Sequence, residues 1–437
     1  MSETRDGGRV RCVRTLGWRE PLEVAAGLAQ RDGALCLLSD PALPGSRSFV
    51  AADPAWTVTL DEAEGGPFAG LTARDLAAGV IGLASYDAGA RVATGPRDVV
   101  WPDLMMARYS AMLVFDHDAG QVRVIGWGQE AAAANAACDL GETWMTAATS
   151  PGAPPPPATA LIPDAGDSAY LCAVTEVVTR IRAGDLFQAN IARGWTAVLG
   201  PQANPFDVFV RLAQGGAAPY GAFWRLGERA LVSNSPELFL TLDTASRRVE
   251  TRPIKGTRPR DPDPVQDAAN AADLLASAKD RAENLMIVDL MRNDLSRVCE
   301  AGSIRVENLF APETLPTVHH LVSTVSGRLE PEHGIADLLQ ATFPPGSITG
   351  APKHQAMKVI AGHEPPRGAW CGSLFLVDED ANLTASVLIR TASFEREDGR
   401  WRVRTQAGAG IVADSDPVQE LAETEVKIAA LRRALTG

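Results

Sequence analysis

Lys255 stands in Arg252-Pro253-Ile254-Lys255-Gly256-Thr257-Arg258, between a proline that fixes the chain's entry and a glycine that lets backbone approach a ligand closely. Arg252, Arg258 and Arg260 flank it. Held close in the fold, these cations are expected to lower the lysine pKa by like-charge repulsion. An amine perturbed in that way is a nucleophile or an acid–base group rather than a simple cation. Taken alone, the same stretch equally describes an exposed basic turn that binds an anion.

Two pairs of carboxylates share a second kind of spacing. Asp280 and Glu283 lie three residues apart in the first turn of a helix expected from about Ala278 to Val298, with Leu285, Val288, Met291, Leu295 and Val298 as its apolar stripe. Further on, Asp416 suits an N-cap, Pro417 the first helical position and Gln419 a capping box. Glu420, Glu423 and Lys427 then fall on one face of that helix. Two helices that each offer such a pair can enclose one hard divalent cation. Mg²⁺ prefers oxygen ligands and takes one or two carboxylates besides water and substrate. The spacing is equally that of two solvated helix faces carrying acids near their N-termini.

Other polar residues sit where elements begin or end. Glu237 lies at the start of an expected strand, a place where a carboxylate is ordinarily solvated. Gln188 and Asn190 share one face of a strand over 187–192, after a helix over 169–183 that Gly184 ends. The loop from Phe343 to Lys353 carries glycines and hydroxyls into a helix that Pro352 is expected to begin, so free backbone N–H groups around Thr349, Gly350 and Ala351 suit an anionic oxygen. Its spacing is not that of a nucleotide P-loop, and Gln406–Ile411 lacks the third glycine of a dinucleotide fingerprint. Arg390 is expected in a strand run over 386–391, where a buried guanidinium needs a carboxylate from protein or ligand. His320 fits a structural role as well as a chemical one.

The elements that position these groups divide unevenly. Residues 1–149 hold a hairpin at Tyr109–Trp127, a buried strand over 35–40 and an alanine-rich helix over 129–149. The proline-rich stretch 150–162 reads as a stiff linker, leaving 163–437 as the chemistry-bearing domain. No internal repeat is present. Of 437 residues 46% are hydrophobic and 22% charged, and no apolar run is long enough to span a bilayer. The N-terminal residues lack the apolar core of a signal peptide, so the chain is expected in the cytoplasm, where the Asn382-Leu383-Thr384 acceptor pattern has no meaning. Six scattered cysteines read as reduced thiols, and a net charge of −13 argues against nucleic-acid binding.

Together these stretches resemble the chorismate-utilising enzymes. The likeness covers most of Asp167–Gly437 through GDLFQAN, SPELFL, PIKGT, DRAENLMIVDLMRNDL, VHHLVS, FPPGSITGAPK, IRTA, QAGAGIV and ELAETEVK, in the family's order. The segment before residue 150 resembles the family more loosely, through LLSD and the Ser48–Pro54 stretch. The resemblance implies an α+β fold with a two-sheet, mostly antiparallel core flanked by helices, to which the N-terminal segment contributes.

It also implies roles. Glu283 and Glu423 would ligate Mg²⁺, with Asp280 and Glu420 holding its waters and the Thr349–Ala351 amides supporting the ring carboxylate of chorismate. Arg390, Gly410 and Lys427 would face the pyruvyl carboxylate, with Gly408 and Trp370 as further substrate contacts. Trp370 stands where many relatives carry tyrosine. Isochorismate and salicylate synthases carry a water-activating lysine at the position of Gln188, and anthranilate synthases an alanine at that of Lys255. A lysine in PIKGT therefore points to the branch that forms aminodeoxychorismate, with Lys255 as nucleophile, Glu237 as acid and base, and His320 near the leaving group. Ammonia would come from a separate glutamine amidotransferase chain, and the product would serve 4-aminobenzoate and folate synthesis. Anthranilate synthesis, or a non-catalytic chorismate-binding scaffold, are the competing readings.

Overall fold

In a computed structural model, residues 2–6, 9–315 and 318–437 are described. Among them the chain forms ten α-helices and two sheets, of 13 and 10 strands. This is the α+β, two-sheet arrangement that the sequence led us to expect. Among the described residues no helix is long and apolar enough to cross a membrane.

Both sheets draw on residues from either side of the proline-rich stretch. In the larger sheet Leu35–Leu38 pairs antiparallel with Tyr220–Leu226. In the smaller, Val80–Ala84 pairs antiparallel with Ser373–Val377, and every residue of both strands is buried. Such continuous apolar runs belong in a sheet covered on both faces. The proline-rich stretch crosses the surface, with Ala158 N–H donating to Leu435 O (2.9 Å) and Gly200 N–H to Pro157 O (2.8 Å). Its end, Ile162, joins Pro163 in a two-residue strand against Thr196 and Trp195.

The chain changes sheet at two neighbouring points. The strand Arg229–Ser235 belongs to the larger sheet and Leu238–Asp243 to the smaller. Leu383–Val387 and Thr391–Glu397 make the reverse passage. Arg390 therefore lies in a bend between strands rather than within one, at φ 52°. A chain that must turn out of one sheet and into another cannot keep an extended run through 386–391, and the left-handed residue makes that turn.

The two acid-bearing helices also differ in detail from expectation. Ala278–Leu295 buries Ile287, Val288, Met291 and Leu295, but Leu285 is exposed. Its inner face is centred on Asn284, which donates to Leu321 O (3.3 Å) and accepts from Ser323 Oγ (2.5 Å). In Pro417–Thr436, Asp416 accepts from both Val418 N–H (3.0 Å) and Gln419 N–H (2.9 Å). Gln419 makes no return bond, so the cap is Asp416 alone.

Candidate active site

Lys255 lies on the strand Ile254–Pro259, which pairs with Val318–Arg328 through a register shift between Ile254 and Thr257. Such a bulge re-aims a side chain. Gly256 makes it possible at φ 86°, where a Cβ would stand 2.8 Å from Leu274 and 2.9 Å from Asp280. Lys255 Nζ donates to Ser347 O (3.2 Å). The flanking arginines do not form the unscreened basic cluster that the sequence suggested. Arg252 pairs with Glu313, Arg258 with Asp273 (2.6 Å) and Asp280 (3.2 Å), and Arg260 with Asp267 (2.8 Å). Those carboxylates come from neighbouring strands and helices, a placement that the local sequence does not reveal.

The opposite wall is the strand Gln188–Val198 beside Arg400–Ile411, with Asn190 opposite Gly410 and Ala192 opposite Gly408. Both amide atoms of Gln188 and the Oδ1 of Asn190 are buried without a partner. The glycines make room for them: a Cβ on Gly410 would lie 2.6 Å from Gln188 Nε2 and 3.6 Å from Lys255 Nζ, and one on Gly408 2.6 Å from Asn190 Oδ1. Gly350 closes on the same strand, since a Cβ there would stand 2.2 Å from Gln188 O. Asn190 N–H donates to Thr349 O (2.9 Å), Thr349 Oγ1 donates to Pro345 O (2.8 Å), and Ala351 pairs with Gln188. Pro352 is the N-cap of the helix Lys353–His363 rather than its first residue.

Glu237 is buried, not solvated. Burial raises its pKa above the ordinary carboxyl value, with Ser347, Lys255, Lys427 and Arg390 pulling the other way. Burial lowers the pKa of Arg390, with Glu237 opposing. The Arg390 guanidinium has no hydrogen-bonded partner among the described residues. Burial, reinforced by Arg390, lowers His320 to about 4, so its imidazole is neutral at physiological pH. One ring nitrogen of His320 meets Thr257 Oγ1 (2.9 Å), and Nε2 is buried without a partner. The Trp370 indole N–H is likewise buried and unpartnered.

The four acids fall on two facing helices. Burial raises the pKa of Glu283, aided by Asp280 and Glu420 and opposed by Lys255 and Lys279. Burial also raises Glu420, which accepts from Ser415 Oγ (2.6 Å) and feels the charge of Glu423. Glu423 is half-exposed. Burial opposes its ionisation, but Lys427 (2.6 Å) brings its pKa below the ordinary value. Lys427 Nζ also donates to Gly408 O (2.8 Å). Among the described residues no three or more His, Cys, Asp or Glu side chains are gathered into a ligand set. The donor chemistry nevertheless fits a hard cation. All the donors are carboxylate oxygens, and Glu283 and Glu420 repel each other, a charge that a divalent ion would relieve.

Sequence reasoning brought most of these groups forward, but it missed Ser347 and the buried ion pair of Arg367 with Glu364 (2.8 Å), whose guanidinium also donates to Asn190 O and Ile348 O behind the site. Asn190 was placed beside Gln188 without a role. The signal for Asn190 is a polar residue amid apolar neighbours on an inward face. For Arg367 the i,i+3 spacing to Glu364 is a local signal, but the backbone oxygens of Asn190 and Ile348 that it also reaches are not legible from it. A cavity of about 570 Å³ lined by Leu38, Ser39, Tyr220, Arg252, Glu313 and Asp378 lies apart from Lys255 and Glu237.

The model of the chorismate binding enzyme family matches residues 41–433. Over 362 residues the chain is 40% identical to aminodeoxychorismate synthase component 1 of Klebsiella aerogenes, covering 80% of this chain and 75% of that protein. It is 43% identical over 270 residues to anthranilate synthase component 1 of Streptomyces coelicolor, covering 60% of this chain and 51% of that one. The crystal structure of anthranilate synthase component I from Streptococcus pneumoniae superposes at a TM-score of 0.78, at 27% identity, over 90% of this chain and 93% of that chain.

Proposed function

The chain belongs to the chorismate binding enzymes, and we propose that within that family it forms 4-amino-4-deoxychorismate from chorismate and ammonia, as an aminodeoxychorismate synthase component 1. The observation that carries the reading is Lys255, an amine on a bulged strand facing Gln188 and Gly410.

Arg390 and Lys427 receive the pyruvyl carboxylate, and the backbone amides of Thr349–Ala351 receive the ring carboxylate. Asp280, Glu283, Glu420 and Glu423 hold a Mg²⁺ that, when bound, neutralises the ring carboxylate and stabilises negative charge as the ring reacts. Lys255 Nζ forms a bond to ring C2 while the C4–oxygen bond breaks. Glu237, whose pKa burial raises, gives its proton to that oxygen, which leaves as water. Ammonia then forms a bond at C4 as the C2–Nζ bond breaks, and Glu237 takes back a proton. Two allylic displacements in sequence place nitrogen at C4 and return the lysine. His320, neutral, supplies a hydrogen bond near the departing oxygen. Gln188 has no basic atom with which to activate water, which favours amination over hydration.

Ammonia comes from a separate glutamine amidotransferase chain in the cytoplasm, and the product serves 4-aminobenzoate and folate synthesis. The identity shared with an anthranilate synthase favours a second reading, anthranilate formation. Product analysis with chorismate, Mg²⁺ and ammonium separates them. A non-fluorescent amino-deoxychorismate is expected, and fluorescent anthranilate as the main product would overturn the reading.

A further inference from the structure

Arg367 has a side chain with no exposure, and of the groups given a role toward substrate its guanidinium meets only the Trp370 ring. Its Nε and Nη2 grip the two oxygens of Glu364 at 2.8 and 3.0 Å. Nη2 also donates to Asn190 O (2.6 Å) and Nη1 to Ile348 O (3.1 Å). The guanidinium carbon lies 4.5 Å from the ring centroid of Tyr86 and 5.0 Å from that of Trp370. Glu364 Oε1 in turn accepts from Ala192 N–H (2.7 Å).

A buried ion pair is a poor device for stability, because apolar residues of the same volume often serve as well. A rigid, planar fork of donors is what apolar residues cannot replace. Here the fork reaches three segments, each adjoining a substrate-facing group. Ile348 precedes Thr349–Ala351. Asn190 lies on the strand of Gln188 and its N–H holds Thr349 O (2.9 Å). Trp370 is stacked directly on the guanidinium.

We infer that Arg367 is a positioning residue for chorismate: with Glu364 it fixes the carboxylate-binding loop, the Gln188 strand and the Trp370 indole relative to one another. The inference rests on the proposed function for the identity of the ligand. Preset separation lets both carboxylates of the substrate meet their donors in one pose, and small misplacement of such donors is costly.

The test compares Arg367→Lys and the double variant Glu364→Gln/Arg367→Met with the wild type. Initial rates are followed by chorismate consumption in saturating ammonium, alongside the ammonium KM and the thermal midpoint. Arg367→Lys keeps the charge but cannot span Ile348 O and Asn190 O, so its chorismate KM is expected to rise roughly tenfold or more. The ammonium KM stays at the wild-type value. The double variant leaves no charge buried alone and is expected to fold near the wild-type midpoint, with the chorismate KM still raised. A wild-type chorismate KM in the double variant would overturn the inference. So would a fall in kcat with both KM values unchanged, and so would failure of both variants to fold, since each marks a purely structural residue. Chorismate consumption is read whatever the product, so only product identity bears on the function proposed above.

Discussion

Glu237 and Arg390 stand at the two adjacent points where the chain passes between the sheets, and Val387 ties those points together. Val387 N–H donates to Glu237 O (3.1 Å), Val387 O accepts from Ser235 Oγ (2.5 Å), and Asn234 N–H donates to Arg390 O (3.1 Å). An acid and a cation are thereby held in one seam without a hydrogen bond between their side chains. Burial raises the pKa of the acid, and the cation is left for a ligand.

Arg390→Met tests the cation. Loss of charge-assisted hydrogen bonds to a carboxylate is expected to raise the chorismate KM roughly tenfold to a hundredfold. The thermal midpoint should hold or rise, because a partly buried guanidinium without a protein partner is removed. Steady-state kinetics and thermal unfolding of the same preparation check both halves.

Glu237→Gln tests the acid. Without a proton to give and take, kcat is expected to fall by roughly a hundredfold to ten-thousandfold. Stability should move the other way with pH. The folded pKa of Glu237 lies above its unfolded value, so the wild type loses stability as pH rises from the ordinary carboxyl range through the raised one. Gln does not titrate. The variant's thermal midpoint should therefore gain on the wild type as pH rises above the ordinary carboxyl range. A variant midpoint that falls relative to the wild type as pH rises would contradict the assignment of a raised pKa.

Gly410→Ala places a methyl group 2.6 Å from Gln188 Nε2 and 3.6 Å from Lys255 Nζ. Gln188 is fully buried and cannot swing to solvent, so its amide must shift within the site that also holds Lys255. A loss of about a hundredfold in kcat/KM is expected, with the fold retained by circular dichroism.

Chelation tests the four acids. Turnover should stop in excess chelator and return with added Mg²⁺, and Glu283→Gln should raise the Mg²⁺ needed for half activity by roughly tenfold or more. Turnover that persists after exhaustive chelation would remove the cation from the account.

Much of this site was legible because its residues lie at helix and loop starts, where spacing carries meaning. Asp416 at the helix N-terminus, the i,i+3 acids and the glycine loop before Lys353 are local patterns, and the fold kept them. What was illegible depends on partners remote in sequence. The neutralised arginines around Lys255 owe their state to Asp267, Asp273, Asp280 and Glu313. The bend at Arg390 follows from a change of sheet that its β-rich neighbours conceal. Leu285 fits the apolar stripe by spacing, but buried Asn284 shows that a polar residue with satisfied hydrogen bonds can take the inner face. Glu364 and Arg367 meet a strand 172 and 177 residues away, beyond the reach of any periodicity.

The most direct test is the rate at which Lys255→Ala forms aminated product from chorismate, Mg²⁺ and ammonium. If the amine takes the ring before ammonia does, that rate should fall by a hundredfold or more, about the loss expected when a covalent route is removed. The same product formed by the alanine variant at the wild-type rate would contradict the account.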